Sequence, residues 1–120
     1  MSQTAADVYE LARDYLIAWK DGDWDKLRRT LAPDVRLEDP TLGLVTGAEA
    51  HVALYRDHIR FPALDEVVLL RLLSNADAAI ACYDVYLSGR RHTVFDQISV
   101  ENGLITRILS ATANWPPIDR

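Results

Sequence analysis

The sequence predicts an α+β domain in which three N-terminal helices pack on one face of a curved, mostly antiparallel sheet. Three observations carry this. Apolar residues recur at helical spacing through the first half of the chain. They alternate with polar ones through the second half. The alternating runs are joined by turns too short for anything but antiparallel neighbours. Helices laid across the concave side of such a sheet leave a cone open at one end, a natural small-molecule pocket.

Over 4–20, Val8, Leu11, Ala12, Tyr15, Ala18 and Trp19 fall on one helical stripe, and Gly22 is a natural stop. Asp23 then caps a short second helix whose Trp24, Leu27 and Leu31 share a face, with Pro33 at its end. The run 35–39 reads as a short strand closed by Pro40, followed by a loop containing Gly43. Thr46-Gly47-Ala48-Glu49 has the form of a capping box. It opens a third helix to about residue 60, with Ala48, Val52, Tyr55 and Ile59 on one side and Phe61-Pro62 ending it. Four strands follow over 66–73, 78–87, 91–100 and 104–113. Ser74-Asn75-Ala76-Asp77, Ser88-Gly89-Arg90 and Glu101-Asn102-Gly103 separate them.

The 120 residues suit one domain, 1–120, and 49% hydrophobic with 26% charged residues describes a folded chain. A net charge of −5 argues against nucleic acid and anionic membrane as partners. Cys82 is the single cysteine, so no internal disulfide or thiolate cluster forms. No apolar run approaches the roughly 18 residues of a membrane span. The start, Met1-Ser2-Gln3-Thr4, lacks the basic-then-apolar layout of a secretion signal, so a cytoplasmic protein is expected.

The chemistry follows from the direction of the acids. Val35, Leu37 and Asp39 share one face of their strand, and Arg36 and Glu38 the other. Glu38 is therefore the solvated acid and Asp39 the inward one. In 91–100, Val94, Asp96, Ile98 and Val100 share a face, so an aspartate again interrupts an apolar row. A carboxylate removed from water must be paired, hydrogen-bonded or protonated. Tyr15 and Tyr55 lie on the inward stripes of their helices, and a buried phenol needs a partner. A phenol and a neutral carboxylic acid are both donors that stabilise an oxyanion in a dry site. The remaining carboxylate can take a proton. Such a set suits proton abstraction beside a carbonyl, without metal or cofactor.

Each residue also has a plain structural reading. Asp39 precedes Pro40 at a strand end, where an aspartate often accepts from the backbone of the next turn. Asp96 can pair with a buried amide or an arginine, and Tyr15 and Tyr55 taken singly are core residues. His92 shares the face of Asp96 but lies four strand residues away, roughly 13 Å, too far for a direct pair. His51 and His58 are expected near the solvated edges of the third helix. Asp84 shares the less apolar face of its strand with Cys82 and Tyr86, a place for a subunit contact, and it is assigned no chemistry. No metal-ligand spacing and no glycine-rich phosphate loop is present. Trp115-Pro116-Pro117 reads as a lid over the pocket mouth, a dimer contact or an exposed tail.

The layout Tyr15, Gly22-Asp23, Leu31-Ala32-Pro33-Asp34, Glu38-Asp39-Pro40, Gly47, Tyr55 resembles that of the bacterial ketosteroid isomerases, within the nuclear-transport-factor-2-like (NTF2-like, or SnoaL-like) superfamily. The stretch from Phe95-Asp96-Gln97 to Gly103-Leu104-Ile105 is similar to the superfamily's late hairpin. The resemblance implies a cystatin/NTF2-like cone and a homodimer acting on a small hydrophobic substrate, a steroid or a polyketide-like enone. It implies that Asp39 is the base, that Tyr15 and protonated Asp96 form the oxyanion hole, and that Tyr55 bonds and orients Tyr15. Trp19, Tyr55 and Trp115 are expected against the substrate. The chain departs from the family at Leu31, where some members carry a further tyrosine. It departs also in the short hairpin between Gly89 and Asp96, and in the polar stretch Ser110-Ala111-Thr112-Ala113-Asn114. A cyclase or an epoxide hydrolase of the same superfamily, or a non-catalytic binding protein, remains the alternative. The hydrolase would need a water held between acid and base, and the inward parity offers no extra arginine to assist it.

Overall fold

The computed structural model describes residues 3–40, 42–60, 64–113 and 118–119. Helix α1 spans Ala5–Asp21. Thr4 caps it through the Asp7 N–H, and the Asp7 carboxylate accepts from the Thr4 N–H in return. Gly22 ends it in the left-handed region at φ 75°, as its lack of a Cβ allows, and its N–H reaches the Ala18 carbonyl. Asp23 caps α2, Trp24–Thr30, by accepting from the Lys26 N–H at 3.1 Å. Leu27 is the buried anchor of that helix.

Strand β1, Leu31–Asp39, starts where α2 stops, so Pro33 lies inside the strand and not at a helix end. Proline has no N–H for the ladder, and the pairing of β1 with its parallel neighbour is irregular between Leu31 and Arg36. Leu31, expected on the face of α2, caps that helix and packs in the core. The expected loop around Gly43 contains a further strand, β2, Gly43–Thr46, antiparallel to β1. Its side chains are mostly exposed, so no alternation marked it.

Helix α3, Ala48–Leu54, continues as a π-helical segment, Tyr55–Arg60. The capping box is not formed. Thr46 pairs with Arg36 in the sheet, and Gly47 becomes the N-cap without a side-chain hydrogen bond. The Gly47 N–H donates instead to the Val35 carbonyl at 2.8 Å, which ties the start of α3 to β1.

The remaining strands are β3 Leu64–Ser74, β4 Ala78–Leu87, β5 Arg90–Glu101, β6 Leu104–Thr112 and the short β7 Ile118–Asp119. The sheet order is β2-β1-β6-β5-β4-β3, with β7 on β5. Only the β1–β6 pair is parallel among the described strands. Register shifts at Leu70 of β3 and at Thr106 of β6, opposite Ser99/Val100, curl the sheet, because an extra residue bends its strand. The three helical elements cross the concave side, giving an NTF2-like cone whose core includes Trp19, Leu27, Leu37, Ile98 and Ile108. No described helix is long and apolar enough to cross a membrane.

The parity argument holds on both strands. Leu37 is buried beside the half-buried Asp39, while Glu38 points outward and takes the Arg107 guanidinium at 2.9 Å. Asp84, on the outer face of β4, is buried within the chain itself and accepts from the Thr93 hydroxyl across the β4–β5 ladder at 2.6 Å.

Candidate active site

The open end of the cone holds a cavity of about 230 Å³. Asp39 enters it from the end of β1, Trp19 from α1, Tyr55 and His58 from the π-helical segment, Tyr83 from β4 and His92 from β5. Leucine, isoleucine and valine side chains supply most of the rest, with Ser110 and Thr112 as a polar strip on β6. No lysine or arginine among the described residues lines it. No group of described His, Cys, Asp and Glu residues is placed to hold a metal ion.

The Asp39 Oδ1 accepts from the Leu42 N–H at 2.9 Å. The turn role and the cavity role therefore coexist in one carboxylate. That hydrogen bond fixes the side chain at the rim, and the apolar row below it leaves the group facing the hollow.

Tyr15 and Asp96 stand one layer behind the cavity wall. Tyr15 is fully buried, and its ring lies edge-on to those of Tyr55 and His51. Its hydroxyl oxygen lies 2.9 Å from the Tyr55 Oη and 2.8 Å from the His51 Nε2, within hydrogen-bond distance of both. The expected contact of Tyr15 with Tyr55 is thus present, but Tyr55 is the member that reaches the cavity. Trp19 shares the cavity wall with Tyr55, their ring centroids 4.9 Å apart. Trp115 lies outside the described residues.

Asp96 is 1% exposed, and its Oδ2 accepts from the Tyr83 hydroxyl at 2.7 Å. Burial pushes its carboxyl up to about 6, and the charge of Asp39 adds to the rise; Ser110 and the Tyr83 hydroxyl pull the other way. Its Oδ1 is buried without a partner of ordinary hydrogen-bond geometry. Burial and the charge of Asp96 likewise hold the Tyr55 and Tyr83 phenols in their neutral form.

Sequence reasoning passed over two members of this assembly. Tyr83 shares the inner face of β4 with Ala79, Ala81 and Val85, and it sits diagonally across from Asp96, because Ala81 is the direct cross-strand neighbour. The hairpin register around Ser88-Gly89 contained that signal. His51 was expected near solvent, yet it is fully buried. It lies one turn before Tyr55 on the inward stripe, and the Tyr15 hydroxyl supplies the polar partner that makes burial tolerable. Burial lowers its imidazole to about 4, so the ring is neutral at ordinary pH.

The arrangement joins a carboxylate at the mouth of an apolar hollow to two neutral phenols on its wall, each backed by a buried polar group. The sequence model of the SnoaL-like domain matches residues 12–108. In structure the chain is similar to a Kribbella flavida protein named "putative ketosteroid isomerase", at TM-score 0.84 and 24% identity over 98% of this chain and 87% of the other. It is similar to an LEH-like epoxide hydrolase of M. tuberculosis, at TM-score 0.74 and 18% identity over 90% and 84% of the two chains. A de novo designed protein with a curved β-sheet matches at TM-score 0.77 and 22% identity over 89% and 85%. At these identities the likeness is one of fold. No curated protein matches the chain in sequence.

Proposed function

The chain belongs to the SnoaL-like domain family, and from that premise we propose that it is a cofactor-independent isomerase of the ketosteroid isomerase kind. It moves a β,γ double bond into conjugation with a ketone, on a compact hydrophobic substrate such as a 3-keto steroid or a polyketide-like enone. The observation that carries this reading is the Asp39 carboxylate facing an apolar cavity lined also by Tyr55 and Tyr83, both held neutral by burial.

In this reading Asp39 removes the proton from the carbon between the carbonyl and the double bond. The electron pair passes to the carbonyl oxygen, giving a dienolate and a protonated Asp39. Asp39 then returns the proton to the γ-carbon, and the carbonyl re-forms in conjugation. The developing oxyanion is held by the Tyr55 hydroxyl, with Tyr15 bonded behind it. Asp96, protonated, completes the oxyanion hole through Tyr83: its proton is donated to the Tyr83 Oη, which frees the Tyr83 hydrogen for the oxyanion. Tyr15 therefore supports the oxyanion hole from the second layer, which modifies the direct contact that the family resemblance implied. Trp19, and Trp115 by resemblance, cover the substrate.

The test is the ultraviolet absorbance of the conjugated enone formed from a β,γ-unsaturated 3-ketosteroid or a smaller β,γ-unsaturated cyclic ketone. Absorbance growth above the buffer rate supports the reading. Conversion of an epoxide to a diol, with no action on either ketone, replaces it by a hydrolase.

A homodimer belongs to the same proposal. The outer face of the sheet exposes Leu73 (57%), Ile80 and Phe95 (46% each). A contiguous apolar face of this kind is what a dimer contact covers. Light scattering on the purified protein is expected to give twice the chain mass, and Phe95→Lys to reduce it to one chain. A wild-type protein that stays monomeric at micromolar concentration overturns the assignment.

A further inference from the structure

We propose that His51 is a positioning residue that makes Tyr55 an obligate hydrogen-bond donor to the cavity, through the chain His51 Nε2, Tyr15 Oη, Tyr55 Oη. The inference deepens the isomerase reading and rests on it for its catalytic consequence. It also specifies the ligand: an atom with a lone pair, such as a ketone, enolate or phenolate oxygen, in preference to an O–H or N–H donor.

The argument is a count of hydrogens. A tyrosine hydroxyl has one. Tyr15 Oη lies within hydrogen-bond distance of both His51 Nε2, at 2.8 Å, and Tyr55 Oη, at 2.9 Å. Two polarities satisfy both contacts. In the first, His51 Nε2–H donates to Tyr15, Tyr15 donates to Tyr55, and the Tyr55 hydrogen is left for the cavity. In the second, Tyr55 donates to Tyr15 and Tyr15 to a bare Nε2, which places the ring hydrogen on Nδ1.

Nδ1 decides between them. It is buried, with no hydrogen-bond partner among the described residues. A buried N–H without an acceptor is rare and costly, whereas an idle lone pair is tolerated more readily. The first polarity leaves Nδ1 as the lone pair. The ring is also neutral at ordinary pH, so one hydrogen, and not two, is distributed between its nitrogens. Tyr55 lines the cavity while Tyr15 and His51 do not, so the donor that the chain delivers emerges at the substrate face. Ring packing holds the relay in place, with the His51 and Tyr55 centroids 5.0 Å apart and the Trp19 and Tyr55 centroids 4.9 Å apart.

The direct test is the tautomer of the His51 ring in nitrogen-15-labelled wild-type protein, read from long-range ring correlations by NMR. The expected result is a neutral ring with its hydrogen on Nε2 from about pH 5 upward. A hydrogen on Nδ1, or a charged ring near neutral pH, overturns the proposal whatever the enzyme's activity. The kinetic arm compares His51→Phe with His51→Gln on the β,γ-unsaturated ketone. His51→Phe removes the donor and is expected to lower kcat about tenfold with KM little changed, the scale of one lost hydrogen bond. His51→Gln keeps an N–H that can reach Tyr15, and is expected to recover most of the rate. Equal rates for wild type and a folded His51→Phe overturn the positioning role. Absence of turnover in wild type with the Nε2–H tautomer present instead removes the isomerase reading and leaves the donor polarity intact.

Discussion

Asp39→Asn is expected to lower the turnover of a β,γ-unsaturated ketone by about 10²–10⁴-fold, the range that one positioned base supplies, while binding of the conjugated product changes by less than about twofold. The substitution is close to isosteric and removes only the ability to accept and return a proton. The turn should survive it, because the asparagine side-chain oxygen can take the Leu42 N–H that Asp39 now accepts at 2.9 Å. Asp39→Ala is the informative companion, since it deletes base and turn together. Asp39→Ala should therefore lose both turnover and thermal stability, and Asp39→Asn turnover alone. The measurements are initial rates by ultraviolet absorbance, product affinity by fluorescence of the cavity tryptophan Trp19, and melting temperatures of the three proteins. An Asp39→Asn rate within about twofold of wild type is incompatible with a catalytic base at this position.

How far the sequence foresaw this site depends on what its patterns measure. Strand alternation has period two and reports direction. It placed Asp39 and Asp96 inward and Glu38 outward, and each is found so. Direction does not report depth. Tyr15, Trp19 and Tyr55 all lie on inward stripes, yet Trp19 and Tyr55 line the cavity and Tyr15 does not. The same limit hid His51, whose burial depends on the hydroxyl of Tyr15 on another helix. Elements with no alternation or with competing local chemistry were also lost. β2 is short and mostly exposed, and Thr46 went into the sheet where its sequence promised a cap, because pairing with Arg36 and the Gly47 N–H to Val35 bond settle that corner. Helix starts and stops written in residues next to each other, as at Gly22 and Asp23, were readable directly.

Asp96 and His51 are expected to make opposite contributions to the pH dependence of stability, and each is revealed by removing the other. Asp96 keeps its proton up to about 6 in the folded chain, against 3.8 ordinarily. The folded state therefore binds the extra proton between those values, and the stability this brings is whole below 3.8 and gone above about 6. His51 is the mirror case, lowered to about 4 from 6.5, so its contribution is whole above 6.5 and lost as pH falls to about 4. Two pKa units and slightly more in each direction correspond to about 3 kcal/mol apiece. In wild type the two slopes nearly cancel over this window. Asp96→Asn leaves the histidine slope, so its stability relative to wild type should rise by about 3 kcal/mol from pH 4 to pH 6.5. His51→Phe leaves the aspartate slope, and its relative stability should fall by a similar amount over the same range. Urea unfolding free energies at a series of pH values measure both, and the surface carboxylates, common to all three proteins, drop out of the differences. Parallel curves for the three proteins would show that neither group is held as its burial requires. The same proton governs the chemistry. An ionised Asp96 takes the Tyr83 hydroxyl hydrogen on its Oδ2, so Asp96 can serve as a donor only through a proton of its own. Turnover should therefore decline as pH rises past about 6, where that proton leaves. Asp96→Asn carries permanent N–H donors, so in that variant the decline should disappear.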